Sequence, residues 1–202
     1  MELKGAQRYL IFGIALVVAS VNPLSEQLYG QLELAKFSFD MTTVWGSALI
    51  GIWLYNVLYS KGGGLANAIL SLDYSTKGLL FTWVIAGAIT TYWYLPEPFA
   101  YSVESVLGRA LCTVSFLAAG VFAGLGWEAM GNAWKSATLF SMFSMMAGLA
   151  EIFLEMASYY SVNFYPVFPT EQLIETSYAL FAMAAFPSTY YMVKILRDLD
   201  LF

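Results

Sequence analysis

Arg109, Glu151 and Glu155 are the residues whose types and spacing could do chemistry here, because each stands inside a long apolar run. Glu151 and Glu155 are four apart, so on a helix they share a face, where two unpaired like charges repel. One guanidinium has five donors and can bridge both carboxylates. A charge at the centre of a bilayer costs about 2.5–3.5 kcal/mol on insertion scales, so pairing is expected. At ~1.5 Å per residue, Arg109 lies roughly 10–12 Å below the outer end of its run, Glu151 about 13 Å and Glu155 about 7 Å below the same surface. The trio reads either as a structural ion-pair network or as a charged group that couples or gates transport.

A second acidic group stands on the outer side. Glu171 and Glu175 share an i,i+4 face with Tyr178 a turn further, and Glu26, Glu97 and Glu104 fall at similar height. Oxygen ligands in that arrangement suit a hard cation such as calcium or magnesium, and solvated carboxylates are the plainer reading. The methionines of Ser141–Met146, with Met156, offer soft ligands for copper(I) but are also ordinary packing residues. The chain has no histidine. Imidazole is the usual ligand of haem b and of most zinc and copper sites and the commonest general base near neutral pH, so no haem or zinc is expected; no retinal is expected either. Cys112 is the single cysteine and reads as a small packed side chain.

The elements that must position these groups are six apolar spans: about 9–29, 41–60, 78–95, 102–126, 137–160 and 172–196. Each approaches the ~20 residues that a helix needs to cross a bilayer. With 59% hydrophobic and 11% charged residues, little remains for a soluble domain. The expected fold is all-α: a polytopic transmembrane helical bundle, a single domain over 1–202, with an interfacial helix over 64–74. Lys4, Arg8, Lys61, Lys77, Lys135, Lys194 and Arg197 fall on one side of the spans and only Lys36 on the other. The positive-inside rule then puts both termini in the cytoplasm. Lys4 and Arg8 before an apolar stretch, with Val18-Ala19-Ser20 after it, imitate a secretory leader, but the segment is read as a true first span.

Three features concern packing. Gly120 and Gly124, flanked by Ala119 and Ala123, make a smooth strip on which another helix can lie, inside this chain or in another subunit. Pro23 and Pro187 remove backbone donors and bend or end their helices. Tryptophans and tyrosines near the span ends read as interfacial belts.

The net charge of −5 leaves no basic footprint for nucleic acid. The expected partners are the lipid bilayer, with bound lipids, and other integral membrane subunits, in the plasma membrane. The function expected first is that of a non-catalytic subunit of a larger respiratory or oxygenase-type complex. A small carrier or channel for a cation or small solute is the alternative. In size and span count the chain is similar to the substrate-binding membrane component of energy-coupled vitamin transporters, with no shared motif. An enzyme, with Glu151 as acid/base beside Tyr178, ranks third for want of a nucleophile or metal set.

Overall fold

Residues 3–198 are described by a computed structural model, and all the elements among them are helices. α1 (Leu3–Ser20) and α2 (Pro23–Tyr29) are parts of one apolar run broken by a 53° bend. Asn22 caps α2 by accepting from the Leu24 and Ser25 amides, and Pro23 sits in its first turn, where a missing N–H costs nothing. α3 (Glu33–Lys61) follows, then α4 (Gly64–Ser75). α5 (Leu80–Trp93) is wound as a π-helix over Leu80–Ala86 and as an α-helix over Gly87–Trp93. α6 (Pro96–Glu104), α7 (Val106–Ala129), α8 (Asn132–Ser158) and α9 (Thr170–Asp198) complete the chain.

Among the described residues, α3, α7, α8 and α9 are long and apolar enough to cross a membrane, and the bent α1–α2 pair would make a fifth. Three boundaries differ from the sequence expectation. The second span begins eight residues before Met41, because Glu33, Lys36 and Asp40 continue the helix instead of preceding it. The third is shorter, ending in α5 at Trp93. The fourth is interrupted: Pro96 starts the separate helix α6, and Ser105, extended at φ −120°, caps α7 by accepting from the Gly108 amide.

The contacts divide the chain into two compact units. One comprises Met1–Gln31 with Ala35–Met130, the other Leu32–Leu34 with Gly131–Phe202. In the first, α7 lies directly on α3. A Cβ added to Gly120 would strike the Ser47 hydroxyl and the Val44 carbonyl, and one on Gly124 the Ala48 carbonyl. The Gly120–Gly124 strip therefore packs inside this unit. Ala119 beside it is fully buried. Phe37 stacks on Tyr94 at 5.1 Å between ring centroids and meets Phe99 at 5.6 Å, which ties α3 to the start of α6.

In the second unit, α8 and α9 run antiparallel, with Phe143 stacked on Tyr191 and the Ser144 and Ser188 hydroxyls 3.0 Å apart. Pro187 lies within α9, and nearby Thr189 donates to the Ala185 carbonyl at 2.9 Å. The link between the two helices is tied down by Asn163, which donates to the Phe168 carbonyl and accepts from the Tyr165 amide. Tyr165 is buried against Phe153, and burial first, then the negative charge of Glu33, raises its phenol above the ordinary value.

Candidate functional site: a buried Lys–Asp–Tyr centre

The buried face of α3 is polar. Glu33, Lys36, Asp40, Thr43 and Ser47 recur every three or four residues, and each is at most 4% exposed. That spacing is one helical stripe, turned inward, while Trp45 and other apolar residues of the same helix stay exposed. Thr43 Oγ1 lies 2.8 Å from Ser20 Oγ of α1 and 2.8 Å from the Phe39 carbonyl. Ser47 donates to the Thr43 carbonyl at 2.7 Å. The lower hydroxyls are thus satisfied, and the charged residues lie above them.

Lys36 and Asp40 form an i,i+4 ion pair with the side chains 0% and 5% exposed. The ammonium donates to Asp40 Oδ2 at 2.7 Å and to the Tyr29 hydroxyl at 3.0 Å. Its Nζ stands 4.2 Å from the centroid of the Phe99 ring, a cation–π contact. The Tyr29 hydroxyl donates to Asp40 Oδ1 at 3.1 Å and lies 3.8 Å from Cys112 Sγ, which is fully buried. Each member is therefore partnered, which is the condition for a charge to stay in a dry interior. Tyr29 reaches the centre because the bend after Ser20 turns α2, at whose end it sits.

The same bend places Glu26. Its carboxylate accepts from Arg109 Nη1 at 2.9 Å, and its backbone carbonyl from the same nitrogen at 3.2 Å. Nη2 donates to the Val103 carbonyl at 3.1 Å, and the guanidinium carbon sits 4.9 Å over the Tyr29 ring. Nε is buried without a hydrogen-bond partner. An open cleft of about 340 Å³, lined by Val21, Glu26, Val106, Arg109, Ala110, Thr113 and Val114, adjoins this pair. Tyr29 therefore carries the outer cation on its ring and the inner ion pair on its hydroxyl.

The sequence expectation set Arg109 beside Glu151 and Glu155. Arg109 takes Glu26 as its carboxylate, while Glu151 and Glu155 are exposed residues of α8 in the second unit. Equal depth suggested the trio; depth along straight helices does not register the bend that carries Glu26 to Arg109 near the start of α7. Of the outer carboxylates, Glu104 ends α6 exposed, and Glu171, Glu175 and Tyr178 are exposed on α9. Among the described residues no three His, Cys, Asp or Glu side chains group as a metal site.

Sequence reasoning missed Lys36 with Asp40, having left both outside the span. The signal was the continuation of their three-and-four spacing into Thr43 and Ser47, a polar stripe running unbroken from the charged residues into the apolar run.

Long apolar helices, with a buried charged centre among those of the first unit, define an all-helical membrane protein. The chain belongs to the family described as "Protein of unknown function (DUF1404)", whose model matches residues 11–198. No curated protein and no solved structure matches it.

Proposed function

We propose that this protein is a small carrier or channel of the cell membrane for a cation or small solute, in which Lys36, Asp40 and Tyr29 form the coupling group. The observation that carries the reading is the inward polar stripe of α3. Ionisable side chains inside a membrane are costly, and they commonly mark proton relays or substrate paths. The cleft at Glu26 and Arg109 is the outer approach, and Tyr29 connects it to the inner pair. Asp40 and Tyr29 have titratable protons, and Lys36 can compensate either charge state. Six spans are reached by counting the bent α1–α2 pair and the shorter α5 with α3, α7, α8 and α9, with both termini cytoplasmic by the distribution of lysine and arginine.

A second reading, a subunit of a larger membrane complex, is favoured by the open faces of α8 and α9. Only 11% of the apolar window of each is buried, against 28% for α3 and α7. The Gly120–Gly124 strip no longer supports it, since α3 occupies that strip.

The two separate on purified protein in liposomes carrying an internal pH dye and an imposed potassium diffusion potential. A carrier moves protons under that potential, and the Lys36→Met/Asp40→Asn double variant, which removes both charges together, folds but does not. Copurification with stoichiometric partners and no flux from the wild type supports the subunit reading instead.

A further inference from the structure

Asp73 is the one residue of α4 that is buried, at 1% exposure, and neither of its carboxylate oxygens has a hydrogen-bond partner. The rest of the helix is loosely held. Its amino end lacks a side-chain cap and follows Gly62 at φ 61° and Gly63 at φ 135°, with nothing within 4 Å of a Cβ added at Gly62, Gly63 or Gly64. Its carboxyl end turns through Lys77 at φ 53° and Gly78 at φ 73°, where the Gly78 amide donates to the Asp73 carbonyl at 2.9 Å. Gly78 in turn lies against the Gly126 carbonyl of α7. Leu65 and Leu72 of α4, seven apart and so on one face, are exposed, as suits a helix at a lipid surface.

The group within electrostatic reach of Asp73 is the Tyr55 phenol of α3, which also feels Glu128 of α7, Tyr59 of α3 and Tyr74 of α4. Lys77 is exposed, and among the described residues no ion pair reaches Asp73.

We propose that Asp73 is a proton-operated latch: with its carboxyl neutral, α4 stays docked on the helices beside it, and ionisation frees α4 to move about its glycine joint onto the lipid surface. An unpaired carboxylate is costly to bury and a neutral carboxyl much less so. Burial pushes the group up to about 6 from an ordinary value of 3.8, so docking is favoured on the acid side and weakens as the pH rises. The device is independent of the Lys36 centre.

Hydrogen exchange of amides 64–75 in the full chain in nanodiscs, corrected for intrinsic rates, tests it between pH 5 and pH 8. The expected wild-type result is a fall in protection of about tenfold over that range, the change in the docking equilibrium that such a shift implies. Asp73→Asn should be protected equally at both ends. Wild-type protection that is the same at pH 5 and pH 8 overturns the latch without recourse to any variant, as does a pH response that persists in Asp73→Asn.

Discussion

Two ion pairs in one unit are solved in opposite ways. Lys36–Asp40 has a 2.7 Å contact and side chains 0% and 5% exposed, whereas Arg109–Glu26 has a 2.9 Å contact and side chains 21% and 48% exposed. In the first, each charge depends on its partners, because water cannot replace them. In the second, water and three backbone or carboxylate acceptors share the work. The lesson is that the residue conspicuous in the sequence, an arginine deep in an apolar run, sits at the wetter site. The lysine dismissed as a loop residue is the one that is fully enclosed.

The largest effect should follow from breaking the enclosed pair. Lys36→Met leaves Asp40 uncompensated, and removing one partner of a buried pair costs about 3–5 kcal/mol. Thermal unfolding of the detergent-solubilised protein should show the loss, and adding Asp40→Leu should recover most of it. A double variant as unstable as the single would mean that Lys36 acts through packing against Phe99 and not through charge.

Asp73 supplies the contrasting case of a buried carboxylate with no cation. Its carboxyl is raised to about 6 in the folded protein from 3.8. The folded state therefore holds the proton more tightly, and stability falls as the pH rises through the window from about 4 to about 6, then levels off. Asp73→Asn should flatten that dependence and gain up to about 3 kcal/mol above pH 7, at 1.36 kcal/mol per unit. Unfolding measured at pH 4.5 and pH 7.5 on both proteins checks the sign.

The predominantly helical architecture was legible because apolar runs of membrane length leave few alternatives to helix. What was not legible were the breaks. Ser105 divides α6 from α7 inside what reads as one span, and the bend after Ser20 is signalled by Asn22-Pro23 in kind but not in direction. Direction is set by packing, and it decided which carboxylate Arg109 meets. The α3 stripe was readable in principle, since Lys36, Asp40, Thr43 and Ser47 keep helical spacing. It was lost by ending the span at the first charge. The role of Gly120 was half legible: its smallness predicted a close approach, while only the fold shows that α3 is the helix approaching.

That approach gives a smaller effect. Gly120→Leu must displace Ser47 and Val44 and should cost about 1–3 kcal/mol, the usual range for overpacking. Gly148 of α8 has nothing within 4 Å of an added Cβ, so Gly148→Leu should be nearly silent in the same unfolding assay.

The smallest effect belongs to the exposed pair, and it sharpens the comparison most. Glu26→Gln keeps the backbone carbonyl that accepts from Arg109 at 3.2 Å and removes only the charge at 2.9 Å. Exposed pairs of this kind are worth about 0.2–1 kcal/mol, so the loss should be in that range and shrink further in high salt. Glu151→Gln and Glu155→Gln, both at exposed positions of α8, should change stability by less than about 0.5 kcal/mol. The reverse ranking, with Glu26 silent and Glu151 or Glu155 costly, would return Arg109 to the deeper trio. It would also remove the bend of α2 as the device that links the cleft to Tyr29. Under the arrangement described here, all three glutamine variants fold, and among them Glu26→Gln alone alters the salt dependence of unfolding.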